Sequence, residues 1–234
     1  MRLHEHEDFA ALITAAAAET ELPEQFVEKD YWITEILRVV AATLPDRAIF
    51  KGGTSLSKGW NLLDRFSEDI DLFVNPRVEP ALVSKRAVNR TLKKLNQDTQ
   101  AVPGLTFVKA DSRTIGGFGR MDTFRYESRY PPVDGFPPTV RLEPSVQSGD
   151  QPTEIVPISS VVGRVLTGRG VVDELGVDGL DPFEMTLLHF RRTDDDLFAK
   201  TALGYEEECR RLFFRPHPPF SAVLERFETI RHLL

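Results

Sequence analysis

Lys51-Gly52-Gly53-Thr54-Ser55, followed shortly by Asp69-Ile70-Asp71, joins residues that handle a polyphosphate to residues that hold a hard cation. Successive side chains of a strand alternate between faces, so two carboxylates separated by one residue point the same way if the segment is extended. Asp69 and Asp71 would then converge on one divalent ion while Ile70 and Leu72 bury in the opposite layer. Magnesium prefers such oxygen donors and keeps positions open for substrate phosphates, and manganese accepts the same ligands. Two such ions would clamp the attacking and leaving oxygens of an in-line displacement. The glycine pair has the complementary job. Without Cβ atoms the backbone can approach a phosphate chain, and a helix starting near Thr54 or Ser55 would present free N–H groups and a positive dipole end. Thr54 and Ser55 add hydroxyl donors, and Lys51 and Lys58 are candidates for steadying phosphates. The chemistry indicated is metal-dependent displacement on a nucleoside triphosphate.

Each piece alone is common, since Gly-Gly pairs mostly mark turns and a lone Asp-x-Asp is usually a solvated strand edge. Their order is what informs. Ala48-Ile49-Phe50 reads as an apolar strand running into the glycines, a helix-length insert follows, and Ile70, Leu72 and Phe73 mark a second strand. A phosphate-binding loop of the Walker A type is excluded because it needs lysine after its glycines, and here Lys51 precedes them. Further along, Thr139-Val140-Arg141-Leu142-Glu143 alternates so that Glu143 shares a face with Arg141 and opposes Val140 and Leu142. By itself such a glutamate reads as a surface charge.

At these residues the chain resembles the AbiEii/AbiGii nucleotidyltransferase toxins, a branch of the polymerase-β-like nucleotidyltransferase superfamily found in abortive-infection and toxin–antitoxin systems. Val27-Glu28-Lys29-Asp30-Tyr31-Trp32-Ile33-Thr34-Glu35-Ile36-Leu37 is similar to the helix that precedes the active-site strand in that family. Phe50 to Gly59 and Arg65-Phe66-Ser67-Glu68-Asp69-Ile70-Asp71-Leu72 carry the more specific match. The resemblance implies an α+β fold, a polymerase-β-like nucleotidyltransferase core with a mixed sheet and flanking helices, plus a mainly helical C-terminal region. It implies a core over residues 1–154, N-terminal helices included, and the helical region over 155–234. It implies Mg2+, or Mn2+, held by Asp69, Asp71 and Glu143, with Glu143 serving as third ligand or as base. The implied reaction moves a nucleoside monophosphate from a nucleoside triphosphate to an RNA acceptor, the 3′ end of tRNA, in a toxin with a cognate antitoxin. A protein acceptor, or a nucleotide-binding member without turnover, stands as the alternative. Family members carry an Arg-Thr pair followed by a helical lysine. This chain has Arg192-Thr193 with Lys200 one helical turn further along than usual, and Lys200 is the candidate replacement. Arg231-His232 is followed by no aspartate, a second departure. Some relatives are thought to be silenced by phosphorylation, and Ser67, two residues before Asp69, is the matching target. Two added charges there would repel the nucleotide. Gly52, Gly53, Thr54, Ser55, Lys51, Lys58 and Ser67 make up the implied nucleotide-binding set.

Composition limits the partners. The chain of 234 residues has a formal net charge of −7, so blanket attraction to nucleic acid is excluded, no DNA is expected, and RNA must meet local basic surface. Lys85, Arg86, Arg90, Lys93 and Lys94 on one helix, and Arg191 and Arg192, are candidates, although a solvated face is the plainer reading. The single cysteine, Cys209, excludes an internal disulfide framework and suits a reducing cytoplasm. No apolar run approaches the roughly 18 residues that span a bilayer, and no signal-peptide pattern opens the sequence. Helices are expected over about 7–19, from Pro23 to Ala42 and from Pro80 to Leu95, and strands at 105–108, 123–126 and 139–143. Beyond about Ile155 the glycines at 163, 168, 170, 176 and 179 suggest broken helices. His4 and His6 read as flexible terminal histidines and not as ligands. Asp194 to Asp196 read as a helix N-terminus, with a second metal site as the alternative. Tyr205, Phe213, Phe214, Phe220 and Phe227 read as packing between helices.

Overall fold

The computed structural model describes residues 1–59, 69–131, 135–147 and 152–188, together with 219, 221, 222 and 225. After a short 3-10 turn at Leu3–Glu5 come α1 (Phe9–Thr20), α2 (Glu24–Thr43), β1 (Ala48–Lys51), α3 (Gly52–Lys58), β2 (Asp69–Val74) and α4 (Lys85–Gln100). Then follow β3 (Leu105–Phe107), β4 (Arg113–Ile115), β5 (Gly119–Tyr126), β6 (Thr139–Ser145), β7 (Thr153–Ile158), α5 (Val161–Arg169), α6 (Val172–Leu175) and β8 (Phe183–Leu188). The alanine run favours α1, which stops where Glu21 takes a left-handed conformation. Pro23 caps α2 from outside, and Pro45 lies just beyond its end. Ser84 starts α4 by accepting a hydrogen bond from the Ala87 N–H at 3.2 Å. None of the described helices is long and apolar enough to cross a membrane.

The described strands form one mixed sheet in the order β3-β5-β6-β2-β1-β8-β7, with β4 also paired to β5. Its centre decides where the carboxylates face. Phe50, Ile70, Leu72, Val140 and Leu142 are fully buried on one side. There they join a single core with Val27, Ile33, Ile36 and Leu37 of α2 and Val88, Leu92 and Leu95 of α4. Truncating any one of the buried Ile or Leu side chains to alanine would cost about 2–5 kcal/mol. A one-residue slip of β2 would exchange Ile70 and Leu72 for Asp69 and Asp71, so this core fixes the register that turns the acids to the other face.

Three expectations need correcting. The division after residue 154 falls inside β7, and β7 and β8 extend the same sheet, β8 pairing in parallel with β1 and antiparallel with β7. β7 hid because it is an edge strand with a largely exposed pattern and a proline, Pro157, which interrupts the alternation that marks strands. His4 is not a loose terminal group. It is buried, its Nδ1 is 2.9 Å from the Tyr31 hydroxyl, and its ring lies 4.7 Å from that of Trp32. Burial lowers its basicity, a loss only partly offset by Glu5. The basic helix α4 packs on the core side of the sheet, so Lys85, Arg86, Arg90, Lys93 and Lys94 do not continue the face that carries the acids. Lys94 is already bound to Asp98 at 2.7 Å, and Lys85 lies 4.8 Å over the Phe118 ring.

Candidate active site

β2 runs antiparallel to β1 and parallel to β6, and the registers place Lys51 opposite Asp71 and Asp71 opposite Glu143. Asp69 is opposite Arg141. Alternation therefore sets Lys51, Asp69, Asp71, Arg141 and Glu143 on one face of three adjacent strands, across the sheet from the core. Arg113 of β4 joins this face through its pairing with Met121 of β5, since Met121 lies two residues from Thr123, the partner of Arg141.

The glycine turn closes tightly on this cluster. Gly52 has φ +76°, and a Cβ built there would come within 2.2 Å of Asp71 Oδ2 and 2.9 Å of its Cγ. Only glycine satisfies both constraints. The helix begins at Gly52, earlier than expected, so Thr54 and Ser55 are inside it and buried. Their hydroxyls are not free donors: Thr54 Oγ1 donates to the Asp69 carbonyl at 2.5 Å and Ser55 Oγ to the Gly52 carbonyl at 2.8 Å. Thr54 thus ties the turn to the start of β2, which aligns the two halves of the site.

Lys58 is placed differently from the sequence expectation. Its Nζ donates to Asp30 Oδ1 at 2.6 Å and to the Ser159 carbonyl at 3.1 Å, while Asp30 Oδ2 accepts the Val161 N–H at 2.6 Å. Both side chains are largely buried, at 4% and 14% exposure. Lys58 is therefore a strut joining α2, α3 and the start of α5, and of these two lysines it is Lys51 that lies beside the acids. Gly53 lies in the first turn of α3. Lys200, Ser67, Arg191, Arg192, the aspartates at 194–196, Cys209 and the aromatics at 205, 213, 214, 220 and 227 lie outside the described residues.

The acids repel one another. Burial pushes the Asp71 carboxyl above the usual carboxylate range, Lys51 opposes this, and Asp69 adds to it. Glu143 is likewise raised, first by burial and then by Asp69 and Asp71, against Arg141 and Arg113. Three oxygen-donor side chains gathered on one face, two of them with raised carboxyls, fit a hard divalent cation of the Mg2+ or Mn2+ kind. Asp69 Oδ1 supports that fit, because it is shielded from solvent yet accepts no aligned hydrogen bond. As they stand, no three acidic, histidine or cysteine side chains among the described residues already form a metal cage. Arg141 occupies the cluster instead, its Nη1 3.2 Å from Asp69 Oδ1 and 3.9 Å from Glu143 Oε1. In the sequence Arg141 marks the phase of β6, and that same phase puts its charge among the acids. Asp30 as the partner of Lys58 gave no sequence signal, being 28 residues away.

Comparison with known proteins identifies the family of the chain. A family model described as "Nucleotidyl transferase AbiEii toxin, Type IV TA system" matches residues 35–193, a span that holds Lys51, the glycine turn and all three acids and stops short of Lys200. Among solved structures, MenT4, a nucleotidyltransferase toxin from Mycobacterium tuberculosis H37Rv, is similar at 17% identity and a TM-score of 0.45. That match covers 84% of this chain and 58% of the other, so this chain spans less than two thirds of the length of that relative. No curated protein matches the chain. With the family model covering well over half of its length, the chain belongs to the AbiEii nucleotidyl transferase toxin family of type IV toxin–antitoxin systems.

Proposed function

We propose that this chain transfers a nucleoside monophosphate from a nucleoside triphosphate to an RNA acceptor, the 3′ end of a tRNA, and thereby acts as the toxin of a toxin–antitoxin or abortive-infection pair. One observation carries the reading: Asp71 sits in register with Glu143 on one side and Lys51 on the other, directly against the Gly52 turn. Asp69 and Asp71, with Glu143 beside them, would hold Mg2+ or Mn2+. Such an ion, when bound, neutralises charge on the triphosphate and on the leaving pyrophosphate.

The chain's own residues do the rest. The Gly52 backbone has no side chain to keep a phosphate away, and Lys51 supplies positive charge at the same end of β1. Glu143 is poised as the proton acceptor: burial and its acidic neighbours make its carboxyl a stronger base than a solvated one. It takes the proton of the acceptor hydroxyl as that oxygen bonds to the α-phosphorus and the bond to pyrophosphate breaks. Gly53 extends the turn, and Lys200 is the proposed second grip on the nucleotide. The cognate antitoxin is the proposed protein partner, with Ser67 the site at which phosphorylation would silence the enzyme.

Incubation of the purified chain with α-labelled nucleoside triphosphates, Mg2+ and total RNA tests the proposal. Label on tRNA supports it. Label on protein instead would assign a protein hydroxyl as acceptor, and nucleotide binding without any label would assign a binding protein that lacks turnover.

A further inference from the structure

Arg141 differs from the other arginine paired to an acid on the neighbouring strand. On β5, Arg120 grips Asp122 through two bonds of 2.8 Å, and Asp122 is 1% exposed. That pair is locked. Arg141 makes one weak bond of 3.4 Å to Asp69 Oδ2, with the same nitrogen 3.2 Å from Oδ1, and stays 44% exposed. It also approaches Glu143 at 3.9 Å. Strong guanidinium–carboxylate pairs are shorter and two-pronged, so this contact holds its partners without satisfying them. The solvent-shielded Asp69 Oδ1, with no aligned donor, shows the same incompleteness.

We propose that Arg141 is a displaceable counterion: it neutralises Asp69 and Glu143 until a divalent cation takes them, and its released guanidinium then engages a phosphate oxygen of the nucleotide. The inference rests on the carboxylate reading given above and adds a residue to it. A divalent ion carries twice the charge in a smaller volume and binds carboxylate oxygens directly, so it outcompetes a loosely held, exposed guanidinium. Guanidinium in turn matches phosphate geometry, which lysine does not. Lys51 and Arg141 flank the acids on β1 and β6, so one cation on each side of the cluster would bracket the phosphates. The exchange is a single swap of partners. It keeps the acids paired before the metal arrives and makes nucleotide binding depend on metal.

The test uses the full chain and two probes: Mn2+ alone, followed by the paramagnetic resonance of the free ion, and inorganic tripolyphosphate at saturating Mn2+, followed by calorimetry. Arg141→Gln should bind Mn2+ about fivefold tighter, the fold-change that matches about 1 kcal/mol for removing an exposed opposing charge. The same variant should bind tripolyphosphate about tenfold weaker, the loss expected for one charge-assisted contact. Opposite signs are the signature, because a residue that merely supports the strand would weaken both. Arg141→Lys should keep Mn2+ affinity near that of the wild type, and Arg113→Gln, whose charge reaches Glu143 through space, should shift it less than Arg141→Gln. Mn2+ affinity that is unchanged or weaker in Arg141→Gln overturns the proposal, provided that the wild type binds Mn2+ and Asp71→Asn does not. A wild type that fails to bind Mn2+ would instead overturn the carboxylate reading, and this inference with it.

Discussion

Replacing Gly52 with alanine perturbs the backbone and the site at one atom, and the two effects can be separated. The φ of +76° is left-handed, where a side chain costs about 1–2 kcal/mol. For a chain of this size that strain lowers the melting temperature by about 2–8 °C. The second effect is a collision, since the new Cβ would stand 2.2 Å from Asp71 Oδ2 where ordinary contact begins at 3.4 Å. The carboxylate must retreat by about 1 Å, a misplacement that costs a catalytic group about a hundredfold in rate. A double-mutant cycle isolates the collision. Asp71→Ala removes the oxygen at 2.2 Å and the carbon at 2.9 Å and leaves the Asp71 Cβ at 3.0 Å. In that background Gly52→Ala should cost little beyond the left-handed strain, whereas in the wild type it should cost measurably more. Urea unfolding gives the stabilities and label transfer to RNA gives the activity. Equal costs in both backgrounds, or full activity of Gly52→Ala, would refute the close approach of turn and carboxylate.

Lys58→Met should lower stability by about 3–5 kcal/mol because it leaves Asp30 buried without its cation, and urea unfolding showing no change would rule out the strut role. Glu28 is buried and accepts bonds from Ser128 Oγ at 2.6 Å and the Arg129 N–H at 2.9 Å, yet burial still raises its carboxyl above the ordinary range. Its folded form therefore holds its proton where the unfolded form has lost it, so its share of stability is full at low pH and fades as pH rises through the raised value. Unfolding free energies measured from acidic to neutral pH should fall less steeply in Glu28→Gln; parallel curves would contradict this. Ser67→Asp should abolish transfer while leaving the circular dichroism spectrum intact, and full activity would remove phosphorylation of Ser67 as the silencing step. Glu143→Gln should lose turnover while keeping the wild-type circular dichroism spectrum, and undiminished label transfer would remove Glu143 from the reaction.

The part of the site that could be read from the chain is the part set by local rules. Asp69, Asp71 and Glu143 each lie in an alternating segment whose apolar phase is unambiguous, so Ile70, Leu72, Val140 and Leu142 dictate which way the acids turn. The glycine pair was legible as room for a phosphate chain, whereas the close approach of Gly52 to Asp71 appears only in the fold. Tertiary partners were not legible. Lys58 looks like Lys51 in sequence, and only the fold reveals Asp30 and Ser159 waiting for it. Thr54 and Ser55 looked like free hydroxyls because nothing local shows that their helix starts early and buries them. β4 escaped notice because it is a fully exposed three-residue strand, Arg113–Ile115, and β7 because Pro157 breaks its pattern. His4 misled because a histidine near a chain start is usually loose, whereas here Tyr31 and Trp32 of α2 enclose it.

The most direct measurement follows two labels side by side. With Mg2+, tRNA and a nucleoside triphosphate labelled at the α-phosphate in one tube and at the γ-phosphate in another, the α-label should join the tRNA and the γ-label should appear in pyrophosphate. Asp71→Asn should stop both. Transfer of the γ-label to RNA, or α-label transfer undiminished in Asp71→Asn, would contradict nucleotidyl transfer at the Asp69, Asp71 and Glu143 cluster.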